Sequence, residues 1–376
     1  MPAENTCSIA EARALIAHQL SVLQSRPELA GAISPIMLWG PPGVGKSSVV
    51  RDLCAERGVG FIDIRLAQRE PIDLRGLPVP RGDAVEWLLS SEWPRDAASS
   101  GVLLFDELTS ADRTLQVAAY ELILDRRLGT LYSLPPGWLV MAAGNRTQDR
   151  AAAGSLSSAL ANRFCHLDLK PQCSEWLAWA RKRGLHPLVT GFLQFRPGLF
   201  FDMQSGDLQR GWPSPRSWER VAVALEHAGA LPQSLLDRQI EGLVGMAAGA
   251  EFAQFRALAQ SLPDILGLLT GQVDLTLPVR ADVRHALCAA ITHHFPQVAD
   301  HPRAVGRLLE VVLRLPADFA TLLLSDVLRG SSPEAADRIF RHAEFAAVQR
   351  KLGPSLDGRL QGHLSREVAA LLEECA

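Results

Sequence analysis

One short segment constrains this chain more than any other. Gly40, Pro41, Pro42, Gly43, Val44, Gly45, Lys46 and Ser47 form a glycine-rich loop of the kind whose backbone N–H groups converge on phosphate oxygens. Such a loop works between a buried strand and the first turn of a helix. The apolar run at residues 33–39 supplies the strand, and good helix formers begin at about Lys46, with Ser48 in the first turn. In that setting Lys46 is expected to reach the β- and γ-phosphates of a nucleotide, and the Ser47 hydroxyl to ligate Mg²⁺. Lys46, Lys170, Lys182 and Lys351 are the four lysines among 38 basic residues, so composition alone seldom produces the match.

A second element follows about sixty residues later, where Val102, Leu103, Leu104 and Phe105 run into Asp106 and Glu107. Phosphoryl transfer needs metal charge neutralisation and an oriented nucleophile. Asp106 is therefore expected to hold Mg²⁺ through water, and Glu107 to polarise the attacking water. A carboxylate pair at this place points to hydrolysis rather than to transfer onto a bound small molecule. No Asn-Lys-x-Asp segment that would read guanine occurs, so ATP is the expected nucleotide.

Further apolar runs at residues 60–66, 101–105, 138–143 and 164–169 are separated by helical periodicity, as at residues 115–128. That alternation predicts a mostly parallel sheet covered by helices. Ahead of it, Ser8 and Glu11 fit a capping box opening a helix to about Ser25. Beyond Lys170 strand signals fade, and helices are broken by Pro and Gly at residues 196–198, 211–215 and 277–278.

The fold class expected is α/β, a P-loop NTPase parallel sheet followed by an all-helical lid and a helical carboxy-terminal region. Boundaries are expected at residues 1–170 for the nucleotide-binding core, 171–250 for the lid and 251–376 for the remainder. Within the core, residues 68–100 read as a polar, turn-rich insert. Pro71, Gly76, Pro78, Pro80 and Gly82 argue against a continuous helix there, and Trp87 and Trp93 are expected to anchor it.

Composition excludes several classes. Apolar residues are 47% and charged residues 21% of the chain, close to the globular average. No run of eighteen apolar residues occurs, and the amino terminus lacks a basic segment followed by an apolar one, so a cytoplasmic protein without a membrane span is expected. Cys7, Cys54, Cys165, Cys173, Cys288 and Cys375 are scattered, without the close pairing of a zinc site or disulfide framework. A net charge of −3 provides no general pull toward nucleic acid. Arg181, Lys182 and Arg183 form the one dense basic cluster, read most simply as a solvated helix end.

Taken together, residues 33–224 resemble the AAA+ superfamily and, within it, the MoxR-type ATPases. The run from Trp138 to Asn145 is similar to the strand that ends in the family's sensor 1, which implies that Asn145 orients water together with Glu107. The segment from Leu156 to Phe164 resembles the helix end bearing an arginine finger. That implies that Arg163 reaches the γ-phosphate of a neighbouring subunit, with Arg146 a lesser rival, and hence a homo-oligomeric ring, a hexamer. Trp212 to Glu219 is similar to a sensor 2 segment, in which Arg216 would contact the γ-phosphate in cis.

The same resemblance places residues 65–78 in an effector insert facing the ring centre and implies a client protein with a von Willebrand factor A domain. Neither the insert nor a short hairpin at residues 131–136 is expected to offer the aromatic–hydrophobic pair of threading machines, although Tyr132 is near. Residues 230–376 match no known motif. Two other functions stay open: a nucleic-acid motor or restriction-type NTPase subunit, and a nucleotide-gated scaffold that scarcely hydrolyses ATP.

Overall fold

The apolar runs of the first half become the strands of one parallel sheet, here seen in a computed structural model that describes residues 5–149, 154–203 and 210–353. The chain divides into two compact units, residues 1–172 and 173–376. In the first, β1 (Thr6–Cys7), α1 (Ile9–Ser25), β2 (Ile36–Trp39), α2 (Lys46–Arg57) and β3 (Gly60–Arg65) lead to α3 (Pro71–Arg75), β4 (Leu77–Arg81) and β5 (Ala84–Leu88). Then come β6 (Ser100–Asp106), α4 (Arg113–Asp125), β7 (Arg127–Leu128), β8 (Tyr132–Ser133), β9 (Gly137–Gly144), α5 (Ser158–Ala161) and β10 (Cys165–Leu169).

The sheet order is β1-β10-β2-β9-β6-β3, and every pairing in it is parallel. Alternate side chains serve opposite faces. Ile36, Leu38, Val102, Leu104, Leu139, Met141 and Ala143 pack under α1 and α2. Met37, Leu103, Phe105, Trp138, Val140 and Ala142 face α4. Both faces are covered, so β9 is buried along its whole length, as parallel strands require. The strand after β2 lies at the far edge, and the connections leaving β2 and β9 diverge. The divergence opens a crevice at the carboxyl ends of the strands, where open α/β sheets bind ligands.

Several local expectations are corrected. The helix read through residue 128 stops at Asp125, because Arg126 takes a left-handed conformation, φ 56°, and donates to the carbonyls of Pro135 at 2.9 Å and Trp138 at 2.7 Å. Leu128 then belongs to the β7–β8 hairpin, which lies earlier than residues 131–136. Residues 68–100 are more ordered than their prolines suggested: β4 and β5 form a hairpin around Gly82 and Asp83. In a two-residue hairpin the pair flanking the turn is hydrogen bonded and pairs alternate thereafter, so Pro78 and Pro80 fall where no ladder donor is needed. Trp93 does anchor the insert, only 2% exposed, whereas Trp87 is 43% exposed and does not. Trp87, Leu88 and Val85 stand exposed on β5, so an aromatic–aliphatic pair is present in the insert after all.

The second unit is helical among its described residues: α6 (Cys173–Lys182), α7 (Pro187–Phe195), α8 (Pro215–Glu226), α9 (Gln233–Val244), α10 (Met246–Gln260) and α11 (Ile265–Thr270) are followed by α12 (Ala281–Val298), α13 (Ala304–Arg314), α14 (Ala317–Gly330), α15 (Pro333–Phe340) and α16 (Phe345–Leu352). Its apolar residues form two clusters. One is centred on Phe192, Trp218 and Phe252; the other runs through α12 to α16 around Phe295, Leu309 and Leu324. Residue 250 falls inside α10, and Phe252 and Phe255, on its later half, pack in the first of these clusters.

Candidate nucleotide site

The loop between β2 and α2 is shaped by its glycines. Gly43 and Gly45 hold φ of 79° and 102°, values that side chains with a Cβ rarely adopt. A Cβ at Gly40 would come 3.1 Å from the carbonyl oxygen of Leu169. α2 therefore starts at Lys46 with its first N–H groups bare of any side-chain cap, an arrangement suited to an anion. Pro41, Pro42 and Val44 complete the turn, with Val44 buried, and Ser48 lies in the first turn of α2.

Lys46 Nζ donates to Gly40 O at 2.6 Å, Pro41 O at 3.1 Å and Asn145 Oδ1 at 2.9 Å. The Ser47 hydroxyl donates to Asp106 Oδ2. Lys46, Ser47, Asp106 and Asn145 are thereby brought together at the ends of three adjacent strands, β2, β9 and β6. The hydroxyl and carboxylate are hard oxygen donors on one edge of the loop, a set that fits Mg²⁺, which keeps several of its waters and takes few protein ligands.

Glu107 directly follows, half-buried, with φ 58°. A left-handed non-glycine costs on the order of 1 kcal/mol. Three backbone bonds hold it there: Ser110 N and Ala111 N donate to its carbonyl, and Leu108 N donates to Ala143 O at 3.0 Å. Its own N–H donates to Asp106 Oδ1 at 2.9 Å. The buried Gln116 amide, donating to Leu108 O and Ala111 O, both at 3.2 Å, fixes the rest of the turn. Nearby on β3, Asp63 pairs with Arg51 at 3.5 Å and Arg65 at 3.9 Å, yet its carboxyl is pushed up, first by burial and then by the charge of Asp106, with Arg65 and Arg51 opposing and Glu107 adding a smaller push. A buried carboxyl whose ionisation is disfavoured by acidic neighbours marks a place that gains from a cation.

Arg163 lies just past α5, exposed, its Nη1 donating to Ala159 O at 3.1 Å. Arg146 is placed differently. It is bound to Asp149, itself 6% exposed, and to Asp168 at 3.3 Å, which makes it a brace between the end of β9 and β10. Arg216 stands in the second unit, exposed at the second position of α8, whose start is capped by Ser214 and Ser217. An open cleft of about 370 Å³ adjoins Asn145, bounded by Trp39, Arg146, His166 and Asp168. Trp39 Nε1 donates to His166 Nδ1 at 2.8 Å, and His166 Nε2 lies 2.7 Å from Ala161 O. The indole N–H can only donate, so the imidazole carries its proton on Nε2.

Thr109 and Gly144 escaped the sequence reading. Thr109 is 1% exposed, and its hydroxyl meets both backbone groups of Asn145. A threonine three residues past an acidic strand end carries no signal by itself, because its partner lies 36 residues away.

A family description, the AAA domain of the dynein-related subfamily, matches residues 35–164. That segment runs from the start of β2 to the start of β10 and includes the loop, Asp106, Glu107, Asn145 and Arg163. Among curated proteins, the Holliday junction branch migration complex subunit RuvB of Synechococcus sp. strain CC9902 is 32% identical over 145 residues, covering 35% of this chain and 35% of its own. The RuvB subunit of strain CC9605 is 31% identical over 145 residues with the same coverage. This chain thus spans 35% of the length of these relatives. A solved structure from Cytophaga hutchinsonii, assigned as a candidate ATPase, covers 94% of this chain and 89% of its own at 12% identity and a TM-score of 0.29, a likeness too slight to carry an argument. Residues 35–164 therefore carry the sequence of an AAA domain on a P-loop NTPase sheet. No helix among the described residues is long and apolar enough to cross a membrane.

Proposed function

We propose that the chain is an ATP-hydrolysing subunit of an AAA+ ring, of the MoxR-like kind, which remodels or activates a partner protein. The observation that carries this reading is the convergence of Lys46, Ser47, Asp106 and Asn145 through direct hydrogen bonds at the carboxyl ends of β2, β6 and β9. Lys46 would turn from the loop carbonyls to the β- and γ-phosphates of ATP. Ser47 and Asp106 would hold Mg²⁺, which when bound neutralises charge developing on the phosphoryl oxygens. Glu107 would orient the attacking water with Asn145.

Arg163 is exposed at the surface of its unit, as a finger that serves a neighbouring subunit must be, and supports a homo-oligomer, a hexamer in this reading. Arg216 would sense the γ-phosphate from the lid. The β4–β5 hairpin supports an effector role, because Val85, Trp87 and Leu88 are offered to solvent on a single short strand. The client of this reading bears a von Willebrand factor A domain, and the ring works in the cytoplasm.

ATP hydrolysis and particle mass, measured together across protein concentration, test it. Activity should rise with assembly, and Arg163→Ala should assemble yet lose about three orders of magnitude in rate. Activity independent of assembly, surviving in Arg163→Ala, would remove the ring mechanism.

A second reading, a DNA-directed motor, is favoured by the RuvB likeness. Against it stands the fate of the basic cluster: Arg181 is taken up by Asp326 at 2.8 Å and by Gln194, and Arg183 lies over the Trp179 ring. Salt-dependent binding to duplex and branched DNA separates the two, since phosphate contacts lose affinity steeply with salt.

A further inference from the structure

We propose that Thr109 is a positioning residue for ATP hydrolysis, one that holds Asn145, Glu107 and the finger-bearing segment in register; this rests on the ATPase reading above. β6 and β9 pair in register as far as Phe105 and Ala142, and Leu108 N extends the contact to Ala143 O. Beyond that point the left-handed turn at Glu107 carries the β6 backbone away, and Asn145 would be left without a ladder partner. The Thr109 hydroxyl takes the place of that strand. It accepts from Asn145 N at 3.1 Å and donates to Asn145 O at 3.2 Å.

A threonine inside a helix often spends its hydroxyl on a backbone carbonyl of the preceding turn, and one in a loop on neighbouring backbone. Here it bridges 36 residues, to the residue whose side chain accepts from Lys46. The Thr109 carbonyl in turn accepts from Gly154 N at 2.6 Å, at the start of the segment that leads to α5 and Arg163. The same α5 segment is tied to α4 by Tyr120 and Ser157. One residue, two positions from Glu107, thus touches both the backbone of Asn145 and the stem of the finger.

The neighbouring glycine is matched to it. A Cβ at Gly144 would lie 2.8 Å from Thr109 Oγ1, Thr109 Cγ2 and Met37 Cε alike. Any larger residue at 144 would push the hydroxyl off Asn145. Because the latch fixes geometry rather than touching phosphate, its loss should act on kcat and spare nucleotide affinity.

Thr109→Val keeps the volume and deletes the hydroxyl. Affinity for a slowly hydrolysed fluorescent ATP analogue should stay within about threefold of the parent, while kcat falls on the order of ten- to a hundredfold. Thr109→Ser, which keeps the hydroxyl, should hold kcat within about threefold of the parent. Parental kcat in Thr109→Val, or equal losses in the Val and Ser variants, overturns the positioning role. Should Thr109→Val fail to fold, Thr109→Ala takes its place: it too deletes the hydroxyl and should lower kcat while sparing nucleotide affinity, and parental kcat in that variant overturns the proposal. A parent protein without turnover, indistinguishable from Glu107→Gln, overturns the ATPase reading itself, whereas turnover in the parent together with an inert latch overturns the latch alone.

Discussion

Polar side chains cluster in two regions of this molecule, and they do opposite things there. Around the β2–α2 loop, Lys46 reaches carbonyl and amide oxygens, Ser47 reaches Asp106, and carboxylates at Asp63, Asp106 and Glu107 lie near enough for one to raise another's pKa. In the helical unit, Asp326 forms ion pairs with Arg181 at 2.8 Å and Arg329 at 3.2 Å, with side chains 15%, 15% and 9% exposed. That triad ties α6 to α14. Two guanidinium groups share one carboxylate there, and burial pushes the Asp326 carboxyl upward and the Arg329 guanidinium downward. The first cluster lies part-exposed at the mouth of a crevice, open to a ligand; the second is enclosed within its unit. Residue types alone do not separate a site from a clamp, but access from the crevice does.

Substitutions at the two clusters should therefore separate activity from stability. The largest effect is expected at the loop. Lys46→Ala should weaken nucleotide binding by about a hundredfold or more, and Glu107→Gln should keep ATP bound while slowing hydrolysis by a comparable factor. Neither should lower the melting temperature, since Lys46 gives up contacts to loop carbonyls and Glu107→Gln is isosteric. Isothermal binding and steady-state phosphate release are the measurements. Near-parental affinity in Lys46→Ala would dissolve the contrast by turning the loop into an ordinary strand-to-helix turn.

At the clamp the order reverses. Asp326→Ala leaves two arginines inside the helical unit without their carboxylate, a change that costs about 3–5 kcal/mol. Denaturant unfolding should show that loss, while the affinity of the first unit for nucleotide is unchanged. A variant as stable as the parent would mean that Arg181 and Arg329 find water or another acceptor, and that the triad is no clamp.

The same contrast governs what could be read from the sequence. The loop, Asp106–Glu107 and the strand ending at Asn145 were legible because their chemistry is written in consecutive residues, and because buried parallel strands leave unbroken apolar runs. The strand starts were less so: residues 33–35 extend the β2 signal, yet the strand begins at Ile36. The β4–β5 hairpin was hidden by Pro78 and Pro80, whose effect depends on which way each missing N–H would have pointed. Thr109 was hidden because its partner is supplied by the fold, and β1, with Thr6 and Cys7 alone, is too short for any periodicity. Arg126 ended α4 without a glycine, held by two carbonyls across the β7–β8 hairpin rather than by its own propensity. In the helical unit the Arg181-Lys182-Arg183 run looked like one surface feature, and only packing shows that its first member belongs to Asp326.

The smallest effect separates the units by pH. His186 precedes α7 and caps it, its Nδ1 accepting from Leu188 N at 3.2 Å, and its ring stacks on that of His293 at 4.9 Å. Burial, followed by the charge of His293, pulls the His186 pKa from 6.5 down to about 4, and burial lowers His285 and His293 as well. Each folded value lies below the unfolded one, so folding favours the neutral rings. The stability they contribute is complete above the unfolded pKa of 6.5 and is lost as pH falls from there toward 4. Melting of the helical unit should thus weaken steadily between pH 7 and pH 5, by about a few degrees. His186→Asn keeps a cap acceptor and removes a titrating ring, so it should flatten that decline. An acid limb as steep as the parent's would place the sensitivity elsewhere than at the His186–His293 stack.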